Sequence, residues 1–155
     1  MLKSLDKELY MKQKIAIGCD HGGFNLKNKI IEYLSKKGVE VKDFGTYTIE
    51  SCDYPVIAKE VAKEVAAGNF DNGILVCGTG LGMSIVANKV KGIRAVTCFD
   101  ATTARMSKSH NNANILCLGE RITGEYLALD IVETWLKTDF EGGRHKRRVD
   151  MFETP

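Results

Sequence analysis

The sequence predicts an α/β protein built on a five-stranded parallel sheet. Three observations predict it. Short apolar runs of strand length recur five times, each followed by a stretch whose apolar residues fall at helical spacing. Those runs are nearly continuous, as in strands covered on both faces, and do not alternate. Glycines and polar turn residues punctuate the junctions. At 155 residues, with 44% hydrophobic and 27% charged, the chain has ordinary globular composition and can bury one core.

The elements follow in order. Lys14 to Gly18 is a strand, and Cys19-Asp20-His21-Gly22-Gly23 a turn. Phe24 to Lys37 carries Leu26, Ile30, Ile31 and Leu34 on one helical face, and Gly38 closes that helix. Val39 to Phe44 is the second strand, followed by a polar loop from Gly45 to Asp53. Pro55 suits the first turn of a helix with Val56, Ile57, Val61 and Val65 inward, ended by Gly68. Ile74-Leu75-Val76 is the third strand, with Cys77 at its carboxyl end. A glycine-rich loop leads from it into a helix from Ser84 to Lys91. Ile93 to Phe99 is the fourth strand, and Asp100 and Thr102 supply cap chemistry for a helix to about Ser109. Ile115 to Leu118 is the fifth. Gly124 to Lys137 is a helix with Leu127, Ile131, Val132 and Trp135 inward, and a basic run after Gly142-Gly143 opens one more. The sum is a Rossmann-like three-layer α/β/α sandwich with a C-terminal helical tail. Residues 12–155 form one domain and 1–11 an N-terminal extension, too poor in apolar residues for a signal peptide or membrane span.

Composition narrows the function. A formal net charge of +2 makes no global case for nucleic acid or membrane. The five cysteines are odd in number, widely spaced and form no CxxC, so neither a disulfide framework nor a zinc ribbon is encoded. Reduced thiols point to the cytoplasm. Histidine and cysteine spacings match no metal-ligand pattern, and no metal or cofactor is expected.

In parallel sheets, ligands bind outside the carboxyl ends of the strands. That edge receives Asp20-His21, Cys77-Gly78 and Asp100. The run Gly78-Thr79-Gly80-Leu81-Gly82 aims several N–H groups at one point, where an anion can sit beside the Cys77 thiol. One rival is a dinucleotide fingerprint, but the spacing is GxGxG, in the third unit of the chain and not the first. His110 stands in a polar segment and suits proton transfer near neutrality. Arg144 and Arg148, four apart, share a helix face and fit the fork geometry of a phosphate. The rivals for that run are a solvated basic tail or a nucleic-acid patch, which needs more charge and interleaved aromatics. Acid–base groups, an anion nest and a phosphate grip together suit proton transfer next to the carbonyl of a sugar phosphate.

Several segments then carry a likeness. Gly18-Cys19-Asp20-His21-Gly22-Gly23-Phe24, Asp53-Tyr54-Pro55, Cys77 to Gly82, Ser109-His110-Asn111, and Glu141-Gly142-Gly143-Arg144-His145 with Arg148 together resemble the ribose-5-phosphate isomerase B family. The likeness runs from about residue 12 to 152. Galactose-6-phosphate isomerase subunits and allose-6-phosphate isomerases share the framework, so six-carbon substrates stand as alternatives. The resemblance implies interconversion of D-ribose 5-phosphate and D-ribulose 5-phosphate through an enediolate, in the pentose phosphate pathway, without metal or cofactor. It implies that Cys77 is the base, and that the N–H groups of Gly78, Gly80, Leu81 and Gly82 hold the enediolate oxygens with help from Thr79. It makes His110 the ring-opening acid, with Asp20 at the ring hydroxyls. His21, Arg144 and Arg148 would grip the phosphate, with Tyr54, Asn111 and Arg121 as further substrate contacts. It also implies a homodimer or dimer of dimers with shared sites. One branch of the family replaces the cysteine and uses a glutamate where this chain has Met83, so Cys77 puts the chain in the cysteine branch.

Overall fold

The computed structural model describes residues 13–153. The expected extension over 1–11 lies outside them. The elements are β1 (Lys14–Cys19), a 3₁₀ turn (His21–Gly23), α1 (Phe24–Lys36), β2 (Glu40–Asp43), α2 (Tyr54–Ala66), β3 (Asn72–Cys77), α3 (Leu81–Ala87), β4 (Ala95–Thr97), α4 (Ala101–Asn111), β5 (Ile115–Gly119), α5 (Glu125–Lys137) and α6 (Gly143–Glu153). The sheet is parallel throughout, in the order β2-β1-β3-β5-β4.

The pleat divides the core into two layers. Ile15, Ile17, Ile74, Val76, Leu116 and Leu118 face one side, against Leu26, Ile30 and Leu34 of α1, Ala104 of α4, and Ile131 and Trp135 of α5. Ala16, Leu75, Cys77, Ile115 and Cys117 face the other, against Ala58, Val61 and Val65 of α2 and Met83 and Ala87 of α3. Successive side chains of a strand point to opposite faces, which is why the central strands are apolar at every position. Each fully buried Ile or Leu contributes about 1.5–3 kcal/mol. The chain goes from β1 to β2 on one side, then crosses back to β3 on the other. That reversal opens a crevice between the carboxyl ends of β1 and β3, where such sheets bind ligands.

Several boundaries differ from the sequence reading. The helix after the glycine loop starts at Leu81, not Ser84, because Gly80 at φ +80° turns the chain straight into it; Gly82 therefore lies inside α3. α4 runs on to Asn111, so His110 and Asn111 form its last turn rather than a loop after it. Asn112, left-handed at φ 49°, ends the helix. β4 shrinks to an edge strand of three residues. Val56 and Leu127 lie at helical spacing but on the solvent side, and alanines, Ala58, Ala62 and Ala128, take the tightest core positions. Among the described residues no helix is long and apolar enough to cross a membrane.

Candidate active site

Cys77 closes β3, opposite Gly119 of β5, and is only 6% exposed. The loop after it folds back on the thiol, and the Gly80 N–H donates to Cys77 Sγ at 3.0 Å. Two neighbours hold this geometry. A Cβ on Gly119 would stand 2.6–2.7 Å from the Thr79 backbone, so β5 approaches the loop as only glycine allows. The N–H groups of Glu120 and Arg121 then donate to the carbonyls of Cys77 and Gly78 at 2.9 and 3.0 Å. Thr79 Oγ1 accepts from Leu81 N at 3.3 Å. The N–H groups of a first helical turn lack intrahelical acceptors, so that of Gly82 adds a donor to the nest. Burial pushes the Cys19 thiol up to about 12 and raises Cys98 and Cys117 as well. They are packing residues.

The turn after β1 stands against the same loop. A Cβ on Gly22 would be 3.1 Å from Gly78 N, and Asp20, nearly buried, accepts from Gly22 N through Oδ1 at 2.8 Å. His21 Nδ1 accepts from Cys52 N at 3.3 Å, which leaves Nε2 as the donor of the neutral ring. The Tyr54 ring covers Gly82, within 2.9 Å of where its Cβ would be, and the Arg121 side chain lies along Gly78. Asp20, His21, Tyr54, Cys77 to Gly82 and Arg121 therefore gather at one crevice.

His110, Asn111, Arg144 and Arg148 do not join them. α4 leaves β4 at the carboxyl edge and runs back antiparallel to the strands, so its 11 residues carry it about 16 Å toward the amino edge. Contacts there confirm the position. Lys108 Nζ donates to Asn72, the first residue of β3, and Arg94, just before β4, donates through Nε to the Asn112 carbonyl at 2.7 Å. α6 lies at that same edge: Glu141 N donates to Ser109 O at 3.0 Å, and Arg94 pairs with Glu153 at 2.6 Å. β3 itself spans roughly 17 Å from Asn72 to Cys77. The chain thus places the two groups of sequence-predicted site residues at opposite edges of its sheet. Arg144 and Arg148 are exposed, beside the buried stripe of His145 and Val149 that seats α6.

The sequence reading passed over three contributors. Glu120 caps the N-terminus of α1, accepting from Leu26 N at 2.9 Å and from Asn25 at 3.1 Å, which ties the β1 turn to the Cys77 loop. Lys27, wholly buried, donates to both Asp43 oxygens (2.8 and 2.7 Å) and to Thr46 O (2.7 Å), pinning the loop after β2. A lysine inside the apolar stripe of α1 was the available signal. Third, Glu141 and His145 surround His110. The His110 and His145 rings stack 4.2 Å apart and 5° from parallel, with Glu141 oxygens 3.9 and 3.5 Å from their Nε2 atoms. The ligating atoms of these three residues lie within 4.8 Å of one another, a cluster that sequence spacing did not reveal. A ring nitrogen's lone pair lies in the plane of its ring, and these two planes are nearly parallel and offset, so as placed the lone pairs do not meet on one ion.

Residues 15–152 match the Ribose/Galactose Isomerase family. The chain is 52% identical over 138 residues to ribose-5-phosphate isomerase B of Escherichia coli, covering 89% of this chain and 93% of that one. Among solved structures it superposes on ribose-5-phosphate isomerase B of Clostridium thermocellum with a TM-score of 0.89 and 58% identity, over 90% and 95% of the two chains. It likewise superposes on the Mycoplasma genitalium ribose-5-phosphate isomerase B with bound ribulose-5-phosphate, with a TM-score of 0.89 and 42% identity over 92% and 95%.

Proposed function

The chain belongs to the Ribose/Galactose Isomerase family, and from that premise we propose that it is an aldose–ketose isomerase interconverting D-ribose 5-phosphate and D-ribulose 5-phosphate. The observation that carries the chemistry is the Cys77 thiol in the β1/β3 crevice, with the Gly80 N–H on its sulfur. An N–H aimed at sulfur stabilises the thiolate, the form that acts as a base. Cys77 removes the proton from C2 of the open-chain aldose and returns it to C1. Charge that builds on the sugar oxygens falls on the N–H groups of Gly78 to Gly82, preorganised where the enediolate forms. Thr79 sits at the same oxygens, and Asp20 holds the sugar hydroxyls. His110 donates the proton that opens the furanose ring. His21, Arg144 and Arg148 bind phosphate, and Tyr54, Asn111 and Arg121 make further contacts with the substrate.

This reading requires a second copy of the chain. A single chain keeps Cys77 and His110 at opposite edges, so each site combines the Cys77 edge of one subunit with the His110 and Arg144 edge of its partner. Around Cys77, the exposed Tyr54 (38%), Leu81 (52%) and Ile85 (62%) supply apolar surface for that contact. A two-fold dimer makes both sites at once, because each edge meets its complement.

Mixing two inactive variants tests it. In a Cys77→Ala/His110→Asn heterodimer, one site carries both substitutions and the other neither. Random re-association at equal amounts should therefore return about a quarter of wild-type activity. Variants that stay inactive after verified subunit exchange would refute the shared site.

A further inference from the structure

In the reaction laid out above, His145 and Glu141 have no task, yet both lie against His110. We propose that they are positioning residues for ring opening: buried His145 is the platform on which the His110 ring lies flat, and Glu141 bridges the edges of both rings. The inference rests on the reading of His110 as the ring-opening acid.

Three observations carry it. The stack is close and almost parallel, 4.2 Å between centroids and 5° between planes, and one ring of the pair is 6% exposed while the other reaches solvent. A ring half in solvent turns freely about its χ angles unless a flat neighbour holds it, and parallel stacking does that without using up a ring nitrogen. The second observation is the main chain beneath the cluster. Glu141 N donates to Ser109 O at 3.0 Å, which ties the segment before α6 to the last turn of α4, and His145 N donates to Gly142 O at 3.0 Å within the first turn of α6. The third is charge. Desolvation, then the neighbouring His110, Arg144 and Arg148, hold His145 below the ordinary histidine range against the opposing pull of Glu141. That balance disfavours a charge on the platform beside His110. Glu141, exposed at its outer side, offers each Nε2 one oxygen, at 3.9 Å for His110 and 3.5 Å for His145.

Anomer exchange separates this role from the isomerisation. The α and β furanose forms of D-ribose 5-phosphate interconvert only through the open chain, and NMR exchange spectroscopy reads the rate. The full-length enzyme carrying Cys77→Ala cannot isomerise but keeps the ring-opening half-site, so it should accelerate exchange above buffer. Adding His110→Asn should remove the acceleration. Adding His145→Ala or Glu141→Gln should lower it about threefold to tenfold, the range of an oriented aromatic contact. Adding His145→Phe, which keeps a flat ring but no nitrogen, should restore most of what His145→Ala loses. Substrate affinity, read by calorimetry, should stay within twofold in all three. Should His145→Ala unfold the tail, Glu141→Gln at the exposed carboxylate still decides. Unchanged exchange in the His145→Ala and Glu141→Gln enzymes overturns the proposal, and so does a His145→Phe enzyme as slow as His145→Ala. Failure of His110→Asn to matter is a different result: it removes the reading of His110, and the positioning role with it.

Discussion

Replacing Gly80 with alanine probes the contact that defines the thiol. Gly80 sits at φ +80° and ψ −16°, a left-handed conformation that costs an L residue about 1–2 kcal/mol. Its new Cβ would stand 2.9 Å from Thr97 Cγ2 and 3.1–3.2 Å from the backbone of Leu118. The threonine methyl can turn aside, but the central strand cannot, so the loop must shift at a further cost of about 1–2 kcal/mol. The sum, about 2–4 kcal/mol, should lower the melting temperature by roughly 5–15 °C in a chain of this size. The same shift pulls the Gly80 N–H off Cys77 Sγ. A hydrogen bond to a charged group is worth about 1.5–3 kcal/mol, so kcat/KM should fall roughly tenfold to 150-fold. Gly92→Ala is the control: φ is +83°, but nothing lies within 4 Å of the added methyl. It should lose only the conformational term and keep full activity. Thermal melts and initial rates, taken together below both midpoints, check both expectations. If Gly80→Ala loses stability yet keeps kcat/KM within twofold of wild type, the N–H does not act on the sulfur during turnover, and the account of the loop fails.

Other perturbations have expected outcomes of the same kind. Cys77→Ala should abolish isomerisation while calorimetry still detects substrate binding; turnover near wild type would remove Cys77 as the base. Arg144→Ala and Arg148→Ala should mainly raise KM, each by about tenfold to a hundredfold for a lost charge-assisted contact, and an unchanged KM in both would count against a phosphate grip. Lys27→Met leaves Asp43 without its buried cation and should destabilise by about 3–5 kcal/mol in urea melts, as one-sided loss of a buried pair does. Partial burial of Glu133 opposes its ionisation, but hydrogen bonds from Lys137, Tyr33 and Lys37 win and hold it down to about 2. A folded value below the unfolded one gives stability that is complete above about pH 4.3 and lost as the pH falls toward 2. Glu133→Gln should therefore cost roughly 1–3 kcal/mol at neutral pH and almost nothing near pH 2, and a deficit independent of pH would refute the ionic account.

The strands and helices were legible because nearly every central position answers to one rule. Ile15 to Ile17, Ile74 to Val76 and Ile115 to Leu118 are buried on two faces and are read as such from their runs. Legibility failed where geometry depends on a partner distant in sequence. Nothing around Gly80 announces a helix that starts at the next residue, because that start is imposed by Leu118 and Gly119 closing on the loop. Glu120 could not be read as a cap, since the helix it caps begins 96 residues earlier, at Phe24. The cluster of His110, Glu141 and His145 joins two helices whose approach is set by the turn at Gly142 and Gly143, both at positive φ.

The separation of Cys77 from His110 was nonetheless present in the order of elements. Each crossover in a parallel sheet runs from the carboxyl edge of one strand to the amino edge of the next. A residue just after a strand lies at the carboxyl edge, and a residue in the last turn of the helix that follows lies at the amino edge. Asp20 and Cys77 belong to the first kind and His110 to the second, whatever the fold's finer geometry. Arg144 follows His110, because α6 starts where α5 has also returned to the amino edge. Acid and base on opposite edges can meet over one sugar only across a boundary between two chains. The proposed roles of Cys77 and His110 therefore predict that activity needs a dimer, and substitution of the exposed rim residue Ile85, outside the glycine loop, should lower activity in step with the monomer fraction.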